Sequence, residues 1–284
     1  MTQENPLQKY YRQPSIYITL PSAGRYYSAD VYQPTATGEI PVLPMTAKDE
    51  LAFKTPDAMI SGQATVDVIK SCVPNILDPW QLVNYDLDLV LLAIRIASYG
   101  ENMDITAVVP LVNESVTHSV NLPAMLDTVK NIKINDVAKT TSGFEVTFKP
   151  LTYREMTRSQ TLAFEQQKTY AAVSASQLSD EEKNQRFAET FKKLTDLNFQ
   201  MLHEGITQIK SPDGAVVTDR AQIMDFLANT DAKTVVEIQD ELAKVRNQAT
   251  FKPLKLKSSE EQIKKGAPVS FDVPVTFDNS NFFG

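Results

Sequence analysis

The sequence predicts an α+β fold: a small N-terminal β/α unit with a β-hairpin, a helix-rich second unit with short strands, and an extended C-terminal tail. Three observations carry this. Hydrophobic spacing switches along the chain between steps of two residues and steps of three and four. Helix-start signals recur at Thr46, Thr152 and Ser179, each with an acid three residues on. A composition of 284 residues with 42% hydrophobic and 22% charged is that of a folded chain with room for one large or two ordinary domains. The expected divisions are 1–122, with an extended arm over 1–15, then 123–249, opened by a strand pair, then the tail 250–284.

The arm is polar, with Pro6, Pro14 and the pair Tyr10-Tyr11. Ile16 to Leu20 reads as a strand, broken at Pro21-Ser22-Ala23-Gly24, where Gly24 suits a left-handed turn. Tyr26-Tyr27, Val31-Tyr32 and Glu39–Val42 read as short strands. Thr46 with Asp49-Glu50 starts a helix to about Lys54, which Pro56 ends. Gly62 to Cys72 places Ala64, Val68, Ile69 and Cys72 on one helical face, and Pro79 to Ser98 carries Leu82, Tyr85, Leu89, Leu92, Ile96 and Tyr99, with Gly100 as the stop. Ile105–Val109 and Val116–Leu122 form a hairpin.

In the second unit, Ile132 and Ile134, then Phe144, Val146 and Phe148, alternate as two strands around Ser142-Gly143. Thr152/Glu155 opens a helix to about Ala175, and Ser179/Glu182 opens another. The latter has an apolar stripe through Phe187, Phe191, Leu194, Leu197 or Asn198, Met201, Leu202 and Ile209. A short helix covers Arg220 to Ala228. Asp231 to Gln248 gives Val235, Ile238, Leu242 and Val245 at coiled-coil-like steps; two heptads favour an intramolecular core face over an oligomer seam. In the tail, Val269–Phe277 alternates, and Pro274 confines any strand there to an edge.

The chemistry-bearing residues are few. One cysteine, Cys72, excludes an intrachain disulfide framework, and with only His118 and His203 beside it no Cys/His zinc cage can be assembled. Cys72 falls on an apolar helix face and reads as a buried, inert thiol. His118 has Ser119 beside it, but neighbouring strand residues face opposite ways. His203-Glu204 lacks the second histidine of a helical metal site. Phosphate-loop, dinucleotide, zinc-protease and serine-hydrolase motifs are absent. Asp86/Asp88 and Asp180-Glu181-Glu182 read as solvated charge. The expectation is a protein that is not an enzyme, with no catalytic residues, cofactor or metal.

Charge excludes further classes. Residues 1–122 hold 7 Lys+Arg and 13 Asp+Glu, against 21 and 22 in residues 123–284, for a net charge of −7. Such a surface repels phosphate and suits a basic protein partner, and the lysines of 252–265 lack interleaved aromatics, so no nucleic-acid partner is expected. The first residues have no secretory apolar region, and the richest apolar run, Leu87 to Ala97, is interrupted by Asp88 and Arg95 and too short for a bilayer, so no membrane partner is expected either.

Several strings together resemble the baseplate hub subunits and hub assembly proteins of T-even-type contractile-tailed bacteriophages. These are Ile18-Thr19-Leu20-Pro21-Ser22-Ala23-Gly24-Arg25-Tyr26-Tyr27, Pro44 to Glu50, Asp86 to Arg95 with Ala97-Ser98-Tyr99-Gly100, Phe148-Lys149-Pro150-Leu151-Thr152-Tyr153-Arg154-Glu155, and Phe277 to Phe283. Some relatives carry a Cys-Pro-x-Cys turn where this chain has Val109-Pro110-Leu111-Val112, so a metal role tied to that turn does not transfer. The resemblance implies a non-enzymatic subunit of the virion tail baseplate, made in the host cytoplasm. Its partners would be other hub, wedge or tail-tube proteins, and a homo-oligomer is compatible. The alternative is an assembly chaperone for hub or tube proteins that leaves before maturation; a tail-tip cell-wall hydrolase would need a carboxylate pair in a sugar-binding groove.

Interface chemistry singles out Tyr10, Tyr11, Phe282 and Phe283 as candidate partner-binding residues, because aromatics dominate interface affinity. On this reading, loss of 1–13 or of 278–284 leaves the fold intact and impairs assembly.

Overall fold

The computed structural model describes residues 5–53, 61–130, 135–248 and 253–273. The chain is α+β and packs as two units. One comprises 1–132 with 250–284, the other 133–249.

In the first unit, β1 (Ile16–Ile18) pairs antiparallel with β2 (Ile40–Val42), Ile18 facing Ile40. The period of two buries Ile18, Ile40 and Val42 and turns Tyr17 outward. Between the strands, Gly24 adopts φ +76° and sits so close to Tyr32 that a Cβ would lie 3.1 Å from its ring. Tyr26 ends a turn and Tyr27 is irregular, so neither is strand, and Tyr32 makes an isolated bridge to Ile76.

Helix α1 (Ala47–Phe53) starts at the Thr46 signal, and α2 (Gln63–Cys72) buries Ala64, Val68, Ile69 and Cys72 as the spacing predicts. The next helix begins later than its periodicity suggests. Pro79–Gln81 is a 3-10 turn capped by Asp78, Val83 is extended, and α3 runs Asn84–Tyr99. The break lets both Leu82 and Val83 enter the core. Helix α3 is buried on nearly every side, through Tyr85, Leu89, Val90, Leu92, Ala93 and Ile94, and is the centre of this unit. Gly100, at φ +93°, stops it by donating its N–H to Ile96 O.

The hairpin β3 (Asn102–Val108) and β4 (Ser115–Asn121) follows, and then α4 (Leu122–Lys130). Leu122, Met125, Leu126 and Val129 of α4 are buried, and α4 packs on α3. The sequence therefore places the division too early at 122/123; the observed one is at 132/133.

The expected separate tail also differs. Beyond the second unit the chain forms β9 (Leu254–Lys257), the short α9 (Glu260–Lys264) and β10 (Ser270–Val273), with β9 and β10 paired. Leu256, Ala267 and Phe271 share an apolar cluster with Ala107 and Val109. Glu114 accepts hydrogen bonds from Lys265 Nζ (2.5 Å) and Gln262 Nε2 (3.3 Å).

The second unit contains an antiparallel sheet of order β5-β6-β7-β8, namely Val137–Lys139, Glu145–Phe148, Ile206–Lys210 and Val216–Val217. Ile132 and Ile134 lie outside the described residues. Helices α5 (Tyr153–Ala175) and α6 (Asp180–Glu204) form a hairpin between β6 and β7, each opened by a complete capping box. Helix α6 ends at Gly205, so Ile209 belongs to β7 and not to the helical stripe. Helices α7 (Arg220–Asn229) and α8 (Ala232–Gln248) complete the unit. Ile238, Leu242 and Val245 of α8 pack with Val146, Phe148, Leu202, Ile206 and Ile209, so that seam is a core face.

Candidate partner-binding site

The arm that carries Tyr10 and Tyr11 is fastened at its base. Arg12 Nη1 donates to Pro44 O (2.6 Å) and to Asp49 Oδ2 (3.3 Å), while Nη2 donates to Ser71 O (2.7 Å) and Ser71 Oγ (2.8 Å). The same Asp49 oxygen accepts from Thr46 N–H and Thr46 Oγ1 (both 2.8 Å) and from Ser71 Oγ (3.0 Å). This partly buried ion pair, reinforced by further hydrogen bonds on both partners, fixes the geometry of the arm's base. Ser15 N–H adds a bond to Val42 O.

Beyond that clamp, Gln8–Tyr10 is a 3-10 turn. Tyr10 is 74% and Tyr11 57% exposed. Lys9 Nζ lies 5.0 Å from the Tyr10 ring centre, and the Tyr11 hydroxyl accepts from Asn5 Nδ2 at 3.3 Å. Two rings held at a fixed distance from a rigid base lose little further freedom on docking. Phe282 and Phe283 lie outside the described residues. Leu7 and Tyr17 are also strongly exposed; strand alternation alone would have revealed Tyr17.

The strings that carry the family resemblance meet pairwise in space. Asp86 of α3, read from sequence as solvated, is fully buried: its Oδ1 accepts from Ser22 N–H (3.0 Å) and its Oδ2 from the Tyr27 hydroxyl (2.6 Å). Val83 N–H donates to that hydroxyl (3.0 Å), joining the Ser22–Tyr27 loop to the start of α3. Burial raises Asp86, and the bonds from Ser22 and Tyr27 oppose it; burial, then Asp86, raises Tyr27. Asp88 is partly buried and has no such partner among the described residues, and burial pushes its carboxyl up to about 7. Likewise Met45 N–H donates to Ser98 Oγ (2.9 Å) and the Tyr99 hydroxyl to Glu50 Oε1 (3.0 Å).

In the second unit, Glu155 accepts from Thr152 N–H (2.8 Å) and Lys149 Nζ (3.1 Å). Burial works against its charge, but these contacts hold it below the usual carboxylate range. Lys149 N–H reaches Gly205 O (2.8 Å), tying the start of the helical hairpin to its end.

The remaining sequence candidates are scattered. Cys72 is buried, and burial, then Asp49, push its thiol up to about 11 against the pull of Arg12. His118 is exposed on β4, and His203 contacts Arg220 O at 3.2 Å. Val109 is buried and Val112 packs on the same apolar cluster, so the Val109–Val112 turn is held by apolar packing. Among the described residues there is no group of three His, Cys, Asp or Glu that could hold a metal ion, and no helix long and apolar enough to cross a membrane.

Against known proteins, the family described as T4 bacteriophage base plate protein matches residues 15–271, a span that runs through both units. No curated protein and no solved structure matches the chain.

Proposed function

The chain belongs to the T4 bacteriophage base plate protein family, and from that premise we propose that it is a structural subunit of the hub region of a contractile-tail baseplate. It works through protein–protein interfaces and is not an enzyme. The match over residues 15–271 carries this reading. The exposed tyrosines on a clamped arm support it, since they supply rigid aromatic anchors of the kind that dominate interfaces.

Mass spectrometry of purified virions tests the proposal. A subunit is found there in fixed proportion to the other baseplate proteins; absence from the virion with retention in assembly intermediates overturns it in favour of a chaperone. Tyr10→Ala with Tyr11→Ala is expected to lower incorporation at least about tenfold, equivalent to about 1.4 kcal/mol of lost association, without changing the melting temperature of the isolated chain.

A further inference from the structure

Within the second unit, the last turns of α6 and the later half of α8 form a pocket of about 300 Å³, the lower end of the range for ligand sites. Its apolar wall is made by the buried Leu202 and Leu242, with the half-buried Met201 beside them. Asn198 of α6 and Gln239 of α8 are exposed at its edge. Among the described residues that line it, Arg246 alone is charged.

Arg246 is short of acceptors. A guanidinium carries five N–H donors, yet here Nη2 reaches Met201 O at 3.5 Å, the limit of a hydrogen bond, and Nε is buried with no partner. The carboxylate that acts on it, Glu155, already accepts from Lys149 and Thr152. Burial pulls the guanidinium below its ordinary range, and Glu155 opposes this. The carbonyl end of α6 favours a cation, which accounts for where the side chain sits and leaves Nε unanswered. A buried charged donor without an acceptor is costly.

We propose that this pocket receives a glutamate side chain of a partner protein, its carboxylate on Arg246 and its methylenes on Leu202 and Leu242. The walls select that chemistry. One guanidinium balances the single charge of a carboxylate, whereas a phosphate group would bring a charge of about −1.5 to −2 to a site with one cation. The leucines suit an aliphatic stem. The side-chain amides of Asn198 and Gln239 each offer donors and an acceptor, the complement of a peptide bond. Gln239 lies seven residues before Arg246, about 10 Å of helix, a span that suits glutamate better than the shorter aspartate. The choice of a protein source rests on the interface role proposed above; the need for an anion rests on Arg246 itself.

Titration of the full chain with N-acetyl-glutamate N-methylamide tests this, followed by nuclear magnetic resonance of the Arg246 Nε–H and the Leu242 methyls. Saturable shifts in the millimolar range are expected. The glutamine analogue, equal in shape and uncharged, should bind at least about tenfold more weakly, as should glutamate to Arg246→Gln, since a charge-assisted bond is lost. Ala243→Glu keeps Arg246 and serves should that variant fail to fold: it sets the chain's own carboxylate one turn before the guanidinium and should abolish the shifts with circular dichroism unchanged. No saturable shift, equal binding of the glutamine analogue, or undiminished binding by a folded variant overturns the proposal. Propionate or inorganic phosphate saturating at the same concentration as the blocked glutamate also overturns it, in favour of a free-anion site. The titration uses the isolated chain, so its outcome is separate from whether the chain remains in the virion.

Discussion

Buried carboxylates decide how the first unit responds to substitution and to pH. Asp86 has both oxygens engaged by Ser22 N–H and Tyr27 inside a dry core, so Asp86→Ala strands two donors and is expected to cost about 2–4 kcal/mol. Chemical denaturation measures this; a loss below about 0.5 kcal/mol, the scale of a surface change, would mean that the Ser22–Asp86–Tyr27 hydrogen bonds contribute nothing structural. Asp88 has burial without compensation. Its carboxyl titrates near 7 in the folded state and near 3.9 when unfolded, so the folded chain binds the extra proton between those values, and its contribution to stability is full below about pH 4 and is lost as pH rises through about 7. Asp88→Asn is expected to raise the melting temperature at pH 8 and to flatten the stability profile from pH 4 to 8, with a gain of about 2 kcal/mol after allowance for its partial exposure. An unchanged profile contradicts the assignment. Periodicity rightly separates 86 from 88 on the helix, but the opposite face of a helix buried almost all round is not solvent, which is why the acid reads wrongly from sequence.

At the scale of elements, local chemistry was legible wherever it was self-contained. The Thr152/Glu155 and Ser179/Glu182 boxes form as predicted, because a capping box closes within four residues. The arm shows the opposite case. Its polarity suggests a loose segment, yet Arg12 reaches 59 and 60 residues along the chain to Ser71 and Cys72, a contact that no local pattern announces. The expectation that residues 1–13 can be removed without cost is therefore corrected. Removal of 1–11 is expected to leave the melting temperature within a degree or so, whereas removal of 1–13 deletes the partner of the nearly buried Asp49 and costs about 2 kcal/mol. Calorimetry on the two truncations checks it: equal melting temperatures would mean that the clamp contributes nothing.

For the whole molecule, the second unit is an insertion in the first, entering after residue 132 and leaving before 250. Sequence signals could not show this, because the pairing of 254–273 with a cluster at Ala107 and Val109 spans about half the chain, while periodicity reports only near neighbours. The insertion carries its own closure: Asn135 N–H donates to Gln248 Oε1 at 2.9 Å, bringing together the two ends of the segment. Adjacent ends and a separate apolar core are what an autonomous folding unit requires. Residues 133–249 expressed alone are therefore expected to melt cooperatively with a helical circular dichroism spectrum. In the intact chain, Phe271→Ala is expected to cost about 3 kcal/mol through loss of the β9–β10 cluster, and that loss should fall on the first unit. Hydrogen exchange locates it: protection should drop in β3, β4 and β10, while the amides of β6 and β7 keep theirs. Equal loss of protection in both sets would show that the units unfold as one, and the insertion would then be a topological feature without independent stability.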